Sequence, residues 1–188
     1  MIETEWVAKM REMLYPEISR SLPEIEIFEG SEIPYGYELR MMGDQPDVNK
    51  ISFRTDMALI EKVDSNWKPR VIVEAKVRSV TTHDAITYAQ KSVKHKAVFP
   101  YLRYGVMLGN RKHYPLPGRL YRHGEQFDFM ISFRGYDITS KEKETFIELL
   151  YDEIKASREL EHILYDSRSK DRTYYNLLHR KLVLEDFS

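Results

Sequence analysis

The run Val71-Ile-Val-Glu-Ala-Lys-Val77 constrains the fold more than any other stretch of this chain. β-Branched residues favour a strand, and apolar side chains at successive positions require cover on both faces. The same is true of Met57-Ala-Leu-Ile60, inside the longer apolar run 51–60. Strands of this kind lie in the middle of a sheet with helices on either side, which makes the chain an α/β (α+β) protein. Each run nevertheless carries charge: Asp56 in the run 51–60, Glu74 and Lys76 in the run 71–77. Side chains alternate across a strand, so Val71, Val73, Ala75 and Val77 share one face and Ile72, Glu74 and Lys76 the other. Glu74 and Lys76 then stand roughly 6–7 Å apart along the strand.

The remaining elements fit a mixed sheet between helices. Trp6, Val7, Met10, Met13 and Leu14 recur at helical spacing and predict a helix over residues 3–15, ended by Pro16 and Pro23. Residues 24–28 and 36–42 predict a first hairpin, and 50–62 and 69–78 two strands joined at Asp64–Pro69. Thr81 with Asp84 marks a helix start near Thr82, whose apolar stripe is Ile86, Ala89, Val93 and Ala97 and which Pro100 ends. Residues 103–109 and 127–133 predict further strands, separated by a polar insertion over 110–126. Thr139 with Glu142 opens a C-terminal helix carrying Phe146, Ile147, Leu150, Ile154, Leu160 and Leu164; a short helix is expected over 172–180. The chain has no repeat and no linker-like tract. We therefore expect one domain over 1–188: a core over 3–133 with its insertion at 110–126, and a helical extension over 139–188.

Composition removes several classes of chemistry. Cysteine is absent, so disulfides, thiolate zinc sites and cysteine nucleophiles are excluded. The acidic start Met-Ile-Glu-Thr-Glu-Trp has no signal-peptide pattern, and no apolar run approaches the roughly 20 residues of a membrane span. A cytoplasmic protein with no membrane partner is expected. The histidines do not pair at metal-ligand spacing, and no phosphate-binding glycine loop or serine nucleophile elbow occurs.

Net charge is −1, but it is unevenly distributed. Lys68 to Arg122 holds 12 Lys/Arg against 2 Asp/Glu, a balance of +10, whereas the remainder holds 17 against 28, a balance of −11. A basic middle in an acidic frame suggests a face for a polyanion. Lys91 and Lys94 on the second helix and Arg111, Lys112, Arg119 and Arg122 in the insertion are the candidate DNA contacts, interleaved in the insertion with tyrosines suited to stacking.

Asp56 and Glu74, on neighbouring strands and facing the same way, would converge as an all-oxygen site for a hard divalent cation, with the carbonyl of Ala75 as a further donor. A metal there activates water and neutralises charge on a phosphate. Lys76 would orient that water, stabilise the pentacovalent state, or act as a base if burial lowers its pKa.

Thr55-Asp56 followed 18 positions later by Glu74-Ala75-Lys76 resembles the PD-(D/E)xK nuclease superfamily, the restriction-endonuclease-like group. The resemblance covers about residues 3–133. It implies a mixed sheet of about five strands flanked by helices, and phosphodiester hydrolysis with Mg²⁺, which Mn²⁺ would replace. It maps the metal-binding aspartate onto Asp56, the second acid onto Glu74 and the lysine onto Lys76. Thr55 stands where many members have proline. Many members add an acid from the first helix; Glu5, Glu12 and, from the hairpin, Glu38 are the alternatives. Gln90 falls where some members place an accessory glutamine. A restriction-type DNA endonuclease is the leading expectation, with a junction or repair nuclease of the same fold second and a non-catalytic nucleic-acid-binding protein third. Cutting both strands of a palindromic site calls for two active sites, and so often for a homodimer.

Overall fold

The apolar run at 71–77 becomes part of the central strand of the sheet. The structure, a computed structural model, describes residues 1–111 and 116–166. Its elements are α1 (Glu3–Ser21), β1 (Ile25–Glu29), β2 (Glu32–Met41), β3 (Asp47–Arg54), β4 (Met57–Val63), β5 (Asn66–Val77), α2 (Thr82–Val98), β6 (Arg103–Gly109), α3 (Gly118–His123), β7 (Phe129–Ser132) and α4 (Ser140–Glu161). Five strands form a sheet in the order β1-β4-β5-β6-β7; β2 and β3 form a separate ribbon. β1, β4 and β5 are antiparallel neighbours, whereas β5-β6 and β6-β7 are parallel. This is the mixed α/β architecture expected. Among the described residues no helix is long and apolar enough to cross a membrane.

Both faces of the sheet are covered, and the alternation in β5 divides its residues as expected. Val71, Val73 and Ala75 join the core built with α1 and α4 through Trp6, Met10, Leu14, Phe146, Leu150 and Ile154. Ile72 joins the other core with Tyr104, Val106 and Leu108 of β6 and with Ala85, Tyr88 and Ala89 of α2. Neighbouring strands touch closely at Gly105 in β6, where an added Cβ would run into the Phe129 ring of β7. Gly105→Ala is therefore expected to cost at least about 2 kcal/mol through overpacking. Urea unfolding would read this as a lower midpoint at unchanged slope; a midpoint within error of the parent would mean that β7 shifts freely to make room.

Several expected boundaries change. Pro16 lies inside α1, which runs on to Ser21. Tertiary contacts hold this last turn: Ile18 is fully buried, and the Tyr151 hydroxyl of α4 donates to the Glu17 carbonyl at 3.0 Å. β1 and β2 do not form a hairpin with each other; β1 pairs with β4 and β2 with β3. The run 50–62 is not one strand but two, broken at Thr55-Asp56. Both chains bend there together. Gly30 N–H donates to the Asp56 carbonyl and Thr55 N–H to the Ser31 carbonyl, at 3.2 and 2.9 Å, so pairing persists while the chains pass from sheet to ribbon. Gly30 takes φ +60° at this bend, a left-handed conformation that glycine adopts without a Cβ penalty.

The buried face of α2 is also rotated from the expected one. Ala85, Tyr88, Ala89, Ser92 and His95 are buried, whereas Ile86 and Val93 are 44% and 39% exposed. Three polar side chains on the buried face each reach a carbonyl. The Tyr88 hydroxyl donates to Ala75, Ser92 Oγ donates to Gln126 at 2.9 Å, and His95 Nε2 bonds the Ile33 carbonyl at 3.2 Å. Hydrogen bonds of this kind make polar side chains acceptable in the interior, which an apolar-stripe pattern does not register. The insertion contains the short helix α3, anchored by buried Leu120. In α4, Phe146, Leu150 and Ile154 are buried as expected, while Leu164 beyond it is exposed. The helix expected over 172–180 lies outside the described residues.

Candidate active site

Asp56 sits where β4 ends and its chain leaves the sheet. The β4-β5 ladder stops at the pair Met57-Val73, which leaves the next inward N–H of β5, that of Ala75, without a strand partner. The Asp56 carboxylate supplies one, accepting from Ala75 N–H through Oδ2 at 2.8 Å. Glu74 precedes Ala75 and projects toward α2. It is 1% exposed and accepts from the Tyr104 hydroxyl of β6 at 2.6 Å and from the Lys91 ammonium of α2 at 3.1 Å, both through Oε1. The two carboxyl groups, from residues 18 positions apart, lie within hydrogen-bonding reach of each other.

Their proximity is electrostatically costly. Burial first, and the Asp56 charge second, push the Glu74 carboxyl up to about 7, although Lys91 and Tyr104 pull the other way. Burial and the neighbouring carboxylates also hold the hydroxyls of Tyr88 and Tyr104 far above the ordinary tyrosine range, so both remain donors.

Lys76, on the same face of β5, takes different partners. Its ammonium contacts Glu3 at 3.2 Å and Asp84 at 3.8 Å, and stands 5.6 Å from the centre of the Tyr88 ring. Asp84 serves twice, since it also completes the capping box of α2 with Thr81. The acid brought here by α1 is Glu3. Its carboxyl is raised above the usual range, chiefly by burial; Lys76 opposes that shift and the Asp56 and Asp84 charges add to it.

The three alternatives for that acid stand elsewhere. Glu5 is exposed and accepts from the Ile2 N–H at 2.9 Å, capping its own helix. Glu12 is exposed two turns further along α1. Glu38 is exposed on the ribbon, where Asn49 donates to it at 3.3 Å. Glu3 occupies the first position of α1, which faces the ends of the central strands; helical spacing alone could not rank it above Glu5.

The expected DNA contacts separate in the same way. Lys91 points inward to Glu74 and to the Arg54 carbonyl, not outward. Lys94, Arg119 and Arg122 are exposed, as is Gln90, which lies on the outer face of α2 away from the carboxylates. The Arg111 guanidinium donates to the Arg78 carbonyl at the ends of β5 and β6. Lys112 lies outside the described residues. Much of the basic segment is neutralised internally. Arg70 pairs with Glu61 and Glu161, Lys68 with Glu161, Arg103 with Glu153 and Asp128, and Lys96 with Asp128.

The donor set fits a hard divalent cation. Two carboxylates forced together in a buried site lack a positive charge between them, and Mg²⁺ needs only one or two protein carboxylates because it keeps several waters. Among the described residues no group of three His, Asp or Glu side chains is gathered to hold a metal, so a closed protein cage is not formed there. Tyr88 donates to the Ala75 carbonyl at a long 3.4 Å. A carbonyl oxygen has two lone pairs, so this oxygen can still accept a second partner. In the comparisons with known proteins, no family model matches the chain, and no curated protein matches it.

Proposed function

We propose that this chain is a Mg²⁺-dependent DNA endonuclease of restriction-enzyme type, with Mn²⁺ able to replace Mg²⁺. The observation that carries this reading is the convergence of Asp56 and Glu74 at the end of the β4-β5 ladder, next to an ion-paired lysine on the same strand. Asp56, Glu74 and the Ala75 carbonyl would hold the cation. When bound, such a cation lowers the pKa of a coordinated water and neutralises charge developing on a scissile phosphate. The remaining roles belong to the chain itself. Ala75 N–H fixes one Asp56 oxygen, Tyr104 fixes one Glu74 oxygen, and Lys76 is held by Glu3 and Asp84 where it can donate to a water or a phosphate oxygen. Lys94, Arg119 and Arg122 supply exposed charge for the DNA backbone. Two copies would act together on a symmetric duplex site.

The test is cleavage of plasmid, single-stranded and branched DNA in Mg²⁺ or EDTA, by the parent, Asp56→Asn and Lys76→Ala. Discrete plasmid fragments in Mg²⁺, none in EDTA, and a loss of at least about 10³-fold in both variants are expected, the scale on which electrostatic groups at reacting centres act. Cleavage confined to branched DNA would replace the restriction reading by a junction or repair one. A parent protein that binds DNA but cuts none of the substrates with any divalent metal would leave only nucleic-acid binding.

A further inference from the structure

The lysine that touches the carboxylate pair is Lys91 of α2, not Lys76 of β5. Its ammonium lies 3.1 Å from Glu74 Oε1 and 3.2 Å from the Arg54 carbonyl. The rings of Tyr88 and Phe53 stand 5.5 and 5.9 Å from it, within the range of cation–π attraction. The side chain is only 20% exposed, so this is a built ammonium pocket and not a surface ion pair. Each wall has a separate origin. Tyr88 and Lys91 are three residues apart on the buried side of α2, Glu74 comes from β5, and Phe53 and Arg54 come from the end of β3. Arg54 is two residues before Asp56, so the bend that carries one carboxylate also carries the carbonyl that receives the lysine. Lys91 thereby links the two chain segments that bring Asp56 and Glu74 together.

We propose that the Lys91 ammonium is a resident counter-cation and positioning group for this pair: it holds Glu74 in place while no metal is bound, and it opposes and yields to an incoming divalent ion. The proposal rests on the metal-dependent reading above. A divalent ion between Asp56 and Glu74 would stand beside the ammonium, and like charges at that separation in a buried site repel strongly. A purely structural lysine would affect stability alone; a competing cation also sets the metal affinity.

The experiment is isothermal titration of Mn²⁺ into the parent, Lys91→Met, Lys91→Arg and Glu74→Gln at pH 8.5, with thermal unfolding of each in EDTA. Lys91→Met is expected to bind Mn²⁺ roughly tenfold more tightly than the parent, since a neighbouring positive charge has gone. Lys91→Arg should stay near the parent and Glu74→Gln should lose binding. In EDTA, Lys91→Met should lower the melting temperature in the parent background but not in Glu74→Gln, where no carboxylate needs a counter-charge. Should Lys91→Met not fold, Lys91→Gln, which keeps an N–H donor without the charge, carries the same comparison. Mn²⁺ binding that is unchanged or weaker in the neutral variants, with the parent binding normally, overturns the proposal while leaving the metal site standing. A parent that binds no Mn²⁺ overturns both.

Discussion

Glu74→Gln is expected to raise the thermal stability of the metal-free protein at pH 8 while abolishing the DNA cleavage proposed for it. The stability gain follows from the raised Glu74 carboxyl. Its folded value, about 7, lies above the ordinary 4.5, so the folded state binds this proton more tightly than the unfolded chain. The corresponding stabilisation is complete below pH 4.5 and is lost as the pH rises through 7. At pH 8 the parent therefore holds a buried charge that glutamine does not carry, a difference of about 3 kcal/mol at most. For a chain of this size that corresponds to a rise of roughly 5–10 °C. At pH 4 the advantage should vanish. His95 acts in the opposite sense. Burial holds its imidazole down at about 4, so its contribution is complete above 6.5 and is lost as the pH falls through 4. The two opposing slopes overlap between these limits in the parent. Glu74→Gln removes the Glu74 slope and keeps the histidine one, so its stability should fall more steeply than the parent's on acidification below pH 6.5. Calorimetric scans at pH 4, 6 and 8 test this; a variant less stable than the parent at pH 8 would refute it. Mg²⁺ should raise the melting temperature of the parent and not that of the variant, because only a state that binds the ion is stabilised by it.

The second large effect is expected far from the carboxylates. Arg103, the first residue of β6, is almost buried and is held by Glu153 at 2.5 Å and Asp128 at 3.0 Å. Burial raises the Glu153 carboxyl and the Arg103 hydrogen bond lowers it, a balance in which desolvation is the larger influence. Glu153→Ala would leave a buried guanidinium with one partner, and a loss of about 3 kcal/mol is expected. The double replacement Arg103→Met with Glu153→Leu should recover most of that loss, since an apolar pair of similar volume avoids the desolvation of both charges. Urea unfolding of the three variants measures both numbers. A single-variant loss below about 1 kcal/mol would show that the pair behaves like a surface ion pair.

This network also explains why much of the +10 segment's charge is not free for a polyanion, although Lys94, Arg119 and Arg122 remain exposed. The acids that neutralise it lie outside it in sequence: Glu61 on β4, Asp128 beside β7, and Glu153 and Glu161 on α4. Charge counted along a chain cannot reveal partners that only the fold brings together. Lys91 illustrates the same point at the candidate site, counted as an outward cation and found on a buried carboxylate.

Local signals were legible where their cause is local. Residues 103–109 form β6 over the expected range, and the Thr81-Asp84 and Thr139-Glu142 capping boxes start α2 and α4 as expected. The division of β5 into an apolar face and a Glu74-Lys76 face follows from strand alternation alone. Elements whose boundaries rest on distant contacts were read less well. α1 continues past Pro16 because Ile18 is buried, and the break at Thr55-Asp56 exists because the paired β1-β2 chain bends at the same level.

The sequence by itself therefore determined the strand that carries Glu74 and Lys76 and the helices on both sides of it, and it pointed to Asp56, in the preceding apolar run, as the second carboxylate of the pair. These follow from side-chain periodicity, capping and apolar runs, all of which act over a few residues. Only the tertiary structure decided that Asp56 reaches Ala75 N–H at the end of a ladder, that α1 contributes Glu3 and not Glu5, and that Lys91 lies against Glu74. Each of those facts depends on where separate elements end and how they cross, which is fixed by packing across the sheet and not by any one segment.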